Sequence, residues 1–208
     1  MQVSGKSGKR LWIAVGVVWV IFVVGGMHAL LSYENTPGAA ADPHATWPAQ
    51  SRIPRTAGLP TIVVFGHPKC PCTRATIGEL AMMMARLHDR ARAVVVIVRP
   101  PGAPDHWDDS DIGRSAAEIP GVTVMSDPNE VEADLFDAEV SGQTMLYDAG
   151  GKLLFSGGIT ASRGHSGDNV GRSSIVSLVT YGTAERTRTP VFGCALRTPK
   201  SLTSGEKM

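Results

Sequence analysis

The strongest pattern along the chain is an unbroken apolar run, LWIAVGVVWVIFVVGGMHALL, over residues 11–31. It is apolar at every phase of a helical period, which a helix packed on one side of a core is not. At about 1.5 Å per residue it crosses a hydrocarbon layer of roughly 30 Å. Residues 32–58 are rich in Pro, Ala, Gly and Thr and carry no sustained period, which predicts a linker. From residue 59 short apolar runs alternate with amphipathic ones. TIVVF (61–65), AVVVIVR (93–99) and VTVMS (122–126) read as strands. QTMLYD (143–148) and KLLFSG (152–157), joined through Ala149-Gly150-Gly151, read as a hairpin. Ile77, Leu80, Ala81, Met84 and Leu87 recur at helical spacing between Thr73 and about residue 90. Weaker helical patterns occupy 105–118 and 128–138, and a last one follows Asp168 or Asn169 as its cap.

The predicted order is β-α-β-α-β-α-β-β-α, an α/β domain with a central mixed sheet flanked by helices and one transmembrane helix before it. The closing hairpin supplies an antiparallel edge. The expected divisions are a cytoplasmic segment 1–10, an anchor 11–31, a linker 32–58, a folded domain 59–185 and a tail 186–208. Met82, Met83 and Met84 fit a packing face better than a metal patch.

Charge orients the anchor. Lys6, Lys9 and Arg10 precede it, and Glu34 and Asp42 follow. The positive-inside rule then sends the domain to the extracytoplasmic, periplasmic side of a single-pass cytoplasmic-membrane protein. A cleaved signal peptide would use the small residues Ala39 and Ala41. The apolar run is too long for one, and that site lies well beyond its end. The formal net charge of +1 gives no field for nucleic acid. No phosphate-binding loop, metalloprotease motif, Ser-His-Asp signature or haem attachment motif is present.

The chain has three cysteines. Cys70 and Cys72 sit in FGHPKCPCTRATIGEL (65–80), at the junction between the first strand and the first helix. A thiol there faces unpaired N–H groups and the positive end of the helix dipole, and Lys69 adds charge. Those features favour the thiolate, the nucleophile of disulfide exchange. Cys194, in the apolar stretch VFGCAL, is either a lone tail thiol or one brought back over the pair. His67, Arg163 and His165 are candidates to stabilise a thiolate. Against that, His67 reads equally as a solvated turn residue. GGITASRGHSGDN (157–169) reads first as a loop that orders the last helix.

The stretches VVFGHPKCPCTRATIGEL and SDPNEVEADLFDAEVSGQTMLYDAGGKLLFSGG, with the element order and the closing helix, resemble the thioredoxin-like superfamily over about residues 59–182. Among its members the chain is similar to membrane-anchored thiol–disulfide oxidoreductases. GGITASRGHSGDNVG and the late VFGC look like the RedB-like branch. The resemblance implies an attacking Cys70, with Cys72 or Cys194 resolving the mixed disulfide. It also implies a protein thiol or disulfide as partner, a membrane electron donor being one candidate, and no cofactor. Two departures stand out. Pro71 alone separates the cysteines, so Thr73 takes the usual resolving position. Thr144 stands where the family has a cis-proline, and a cis bond there would cost about 3–4 kcal/mol, so a trans bond is expected. The departures leave open a copper or zinc module held by Cys70, Cys72 and His67. A peroxidase reading is weaker, because His67 stands where Thr is usual.

Overall fold

The computed structural model describes residues 5–39 and 41–197. The first residues of the expected cytoplasmic segment, Ala40 inside the weighed cleavage site, and the end of the tail lie outside the described residues. The chain divides into two units, one ending at Thr36 and one beginning at Pro37. The first unit is a single helix, α1 (Gly5–Glu34). Its stretch Gly8–Glu34 is long and apolar enough to cross a membrane.

The second unit is built on a five-stranded sheet in the order β3-β2-β1-β4-β5. β1 (Thr61–Gly66) pairs in parallel with β2 (Arg92–Arg99), which pairs in parallel with β3 (Val122–Pro128). β4 (Thr144–Tyr147) runs antiparallel to β1 and to β5 (Leu153–Gly157). α2 (Pro71–Leu87) crosses from β1 to β2, α3 (Asp111–Ala117) from β2 to β3, and α5 (Val170–Tyr181) follows the hairpin. This is the expected central mixed sheet flanked by helices, with the closing hairpin as its antiparallel edge. β1 and β2 are apolar and buried along almost their whole length because both faces are covered. Ile62 and Val64 join one core with Leu80, Met83, Ile112 and Ile175 from α2, α3 and α5. Val63 and Phe65 join another with Phe136, Tyr147, Trp47 and Leu196.

Three predicted elements change length. α2 starts at Pro71, because Cys70 keeps an extended backbone as its N-cap and proline suits the first helical position. α4 is only Val131–Leu135. Asn129, Glu130 and Asp137 have positive φ, which breaks the helix expected over 128–138 at both ends. α3 is likewise shorter than 105–118, starting after Ser110, whose Oγ accepts from the Gly113 N–H at 3.1 Å.

The segment read as a linker lies within the folded unit from Pro37 onward. Trp47 packs edge-on against Phe136 and Tyr147, and Ile53 is buried. The buried Glu132 carboxylate accepts from Ser51 Oγ at 2.7 Å and from the Arg52 N–H at 2.9 Å. Isolated anchors of this kind leave no periodicity. The described part of the tail is docked too: Leu196 is buried in the second core and Val140 bridges Ala195.

Candidate functional site

The site begins where β1 ends. Gly66 must lack a side chain, because a Cβ there would meet Thr73 Cγ2 at 2.5 Å. The chain turns through His67, Pro68 and Lys69, and the Cys70 N–H donates to the His67 carbonyl at 3.2 Å. Cys70 then caps α2 without a side-chain cap bond. Its sulfur is thus left at the helix N-terminus, facing other groups.

Those groups are the other two thiols. Cys70 Sγ lies 3.1 Å from Cys194 Sγ. The Cys72 thiol acts on Cys70 most strongly, donating to its sulfur, and the Cys194 thiol and the Cys194 and Thr73 backbones add to it. Together they outweigh burial and bring Cys70 down to about 3. The donors move the other way. Cys72 is pushed far up, first by its bond to Cys70 and then by burial, with the Gly164 N–H opposing. Cys194 rises to about 11, through burial first and then its contact with Cys70. The cluster is one thiolate held by two thiols.

The floor of the site is Ser141. Its Oγ accepts from the His67 N–H at 3.0 Å and lies 2.6 Å from Thr73 Oγ1. Its N–H donates to the Cys194 carbonyl at 2.8 Å. Thr73 Oγ1 also donates to the His67 carbonyl at 2.9 Å, so the residue at the usual resolving position braces the turn. Gly142 has φ +94, and a Cβ there would meet Thr76 Oγ1 at 2.9 Å. Thr144 is buried and donates to the Gly142 carbonyl at 3.1 Å. No cis peptide bond occurs among the described residues.

The glycine-rich loop roofs the site. Arg163 donates to the Gly193 carbonyl, one residue before Cys194, and its charge favours the Cys194 thiolate. His165 is exposed and engages the Arg163 carbonyl at 2.8 Å rather than a thiol. The loop is fastened from behind by buried Glu79, which accepts from the Gly167 N–H, Asn169 Nδ2 and Arg172. Asn169, not Asp168, caps α5, while Asp168 pairs with Arg172 at 2.9 Å. His67 sits beside Cys70, its ring edge-on to Trp107. Its Nδ1 accepts from the Lys69 N–H at 3.2 Å, and burial lowers its pKa, so the imidazole is neutral. Lys69 Nζ stands over Trp107 at 4.4 Å.

Cys70, Cys72, Cys194, His67, Pro71, Thr73 and Arg163 are therefore brought together, and His165 stands aside. Among the described residues no group of three or more His, Cys, Asp or Glu side chains could hold a metal ion. The engaged His67 Nδ1 also weighs against the Cys70, Cys72 and His67 copper or zinc set. Sequence reasoning missed Ser141, Trp107 and Arg197. Ser141 had a signal, since SGQTM precedes the strand that faces the cysteines.

No family profile matches the chain, and no curated protein does. Solved structures do. An uncharacterized conserved protein from Geobacillus kaustophilus has a TM-score of 0.58 at 17% identity, covering 80% of this chain and 94% of that one. A hypothetical protein, SMc02350 from Sinorhizobium meliloti 1021, has a TM-score of 0.55 at 18% identity, covering 79% and 96%. These likenesses bear on the fold alone. A secreted Mycobacterium tuberculosis disulfide oxidoreductase, homologous to E. coli DsbE, has a TM-score of 0.40 at 16% identity, covering 59% of this chain and 81% of that one.

Proposed function

We propose that the chain is a membrane-anchored thiol–disulfide oxidoreductase of the extracytoplasmic side, and that its exchangeable bond joins Cys70 to Cys194. The observation that carries this reading is the 3.1 Å approach of the two sulfurs at the N-terminus of α2. Oxidation joins them with loss of two electrons and of one proton, from Cys194, because Cys70 is already a thiolate. A partner disulfide takes up the two electrons and, with that proton and one from solvent, opens to two thiols. The low Cys70 pKa supports its role as the reactive sulfur, since only a thiolate exchanges. Cys72 tunes it by donating to it and stays protonated.

The anchor reading is supported by the length and apolarity of Gly8–Glu34 and by the basic residues Lys6, Lys9 and Arg10 around its start. A tethered domain of this kind suits a protein thiol or disulfide partner, with a membrane electron donor as a natural candidate. The docked VFGC stretch favours the RedB-like branch.

The test is thiol mapping by alkylation and mass spectrometry on the full-length protein in detergent, across a graded glutathione redox series. The expected result is a reversible Cys70–Cys194 bridge. Three thiols that never pair under mild oxidation would sink the reading.

A further inference from the structure

The reactive sulfur of the pair is not the one a partner can reach. Cys70 is 3% exposed and Cys72 5%, whereas Cys194 is an exposed residue. Exchange requires the incoming sulfur to touch the sulfur it attacks. A protein partner cannot touch Cys70 while the tail lies over it.

The described part of the tail, up to Arg197, is fastened at several points. The Ser141 N–H donates to the Cys194 carbonyl at 2.8 Å, and the Leu196 N–H to the Glu139 carbonyl at 2.9 Å. Gly193 lies so close to Ser141 that a Cβ would fall 1.9 Å from its carbonyl oxygen. Leu196 is buried, and Arg197, its side chain 6% exposed, pairs with Asp134, Asp137 and Glu139. Lifting the tail would break all of these contacts before any sulfur chemistry began.

We infer that Cys194 is the sulfur the partner meets: in the bridged form a partner thiolate attacks Cys194, and Cys70 leaves. The inference rests on the proposed Cys70–Cys194 bridge and adds the order and direction of exchange. In the first step the Cys194–Cys70 bond breaks, a Cys194–partner bond forms, and Cys70 takes the electron pair as thiolate. In the second step another partner thiolate attacks the partner's sulfur in that mixed disulfide. The partner leaves as a disulfide, and Cys194 takes the electron pair and a proton. The partner dithiol has lost two electrons and two protons, one proton passing to Cys194 and the other to solvent, and the bridge has become the Cys70 thiolate and the Cys194 thiol. A second disulfide-bearing protein or small molecule restores the bridge by the same exchange.

Leaving-group chemistry points the same way. The better leaving thiol is the one of lower pKa. Cys70, at about 3, leaves far more readily than Cys194, at about 11. The opposite traffic would begin with Cys194 attacking a partner disulfide, yet at neutral pH it is almost wholly a thiol. The exposed thiol therefore serves as the entry point for electrons from a partner dithiol, and the buried one as their first resting place.

The test uses wild-type full-length protein in detergent, first oxidised and shown by mass to carry the Cys70–Cys194 bridge. Excess reduced glutathione is added, the reaction is quenched in acid at early times, free thiols are alkylated, and the adduct is mapped. The expected result is glutathione on Cys194 with Cys70 alkylated, in about tenfold or greater excess over the reverse pattern. Glutathione chiefly on Cys70 or Cys72 would overturn the inference and leave the proposed function standing. If no bridge forms in the starting sample, the proposed function fails and this inference with it.

Discussion

Cys70 and Cys194 meet at one contact but are held there in opposite ways. Cys70 is placed by neighbours in sequence. β1 ends, a short turn follows, and α2 starts on Pro71. Cys194 is placed by neighbours far away in sequence, through pairing with residues 139–141 and the Arg197 ion pairs. The first half is built on a strand–turn–helix junction and holds the sulfur proposed to be reactive. The second half lies over it as a strap and is proposed to govern access. Ser141 belongs to both, since its hydroxyl braces the turn and its N–H holds the Cys194 carbonyl.

The sharpest break between the halves is Cys70→Ser. Serine is a favoured N-cap, so the fold should persist by circular dichroism, while exchange falls to background. Retained exchange would remove Cys70 from the chemistry. The same variant has a pH signature. Folding takes the Cys70 thiol from 9.0 down to about 3, chiefly through the Cys72 donor. Between those limits the folded reduced protein holds a thiolate and the unfolded chain a thiol. Unfolding then takes up a proton, so this contribution to stability grows with rising pH and is lost as pH falls toward the folded pKa. Cys72 and Cys194, both raised, are protonated in either state below 9.0 and add no slope there. Urea midpoints of reduced wild type should therefore climb with pH between about 5 and 8 more steeply than those of Cys70→Ser. Equal slopes would mean that Cys70 is not a thiolate in the fold.

The two halves also differ in how legible they were. The strand, turn and helix around Cys70 follow from TIVVF, Gly66-His67-Pro68 and the spacing from Ile77 to Leu87, all local signals. The same holds for the order of the strands' elements and for the trans bond at Thr144. The sequence does not decide between a lone and a docked Cys194, because VFGCAL shows only that the stretch is apolar. What docks it is a backbone ladder and a guanidinium among Asp134, Asp137 and Glu139, partners about sixty positions away. Residues 37–58 escaped for the same reason. Trp47 and Ile53 are single anchors on an irregular backbone, and their burial depends on Phe136 and Tyr147 across the fold.

Ser141→Ala tests the shared floor. It leaves the half-buried His67 N–H without its acceptor and removes a partner of Thr73 Oγ1. The expected loss is about 1–3 kcal/mol, read as a lowered urea midpoint with unchanged slope. The N–H to Cys194 is a backbone group and survives the substitution. The Cys70–Cys194 bridge should therefore still form in the folded variant. Loss of the bridge without loss of stability would show that the turn, not the tail, sets the sulfur contact.

Arg197→Ala makes the smallest change in stability and isolates the strap. Its three carboxylate partners are partly exposed, so water replaces much of what the guanidinium gave them. The expected loss is about 1 kcal/mol, since Leu196 and the pairing at Val140 and Ala195 remain. Access should change more than stability. With the Arg197 ion pairs gone, a bulky maleimide should label Cys70 in the reduced protein faster than in wild type, while Cys194 labelling stays the same. Salt should reproduce part of that effect in wild type, because screening weakens the exposed side of the cluster. If Cys70 stays as protected as before, the strap is held by its backbone pairing alone. The comparison then narrows to Ser141 and Glu139, whose main-chain groups would carry the whole of the cover.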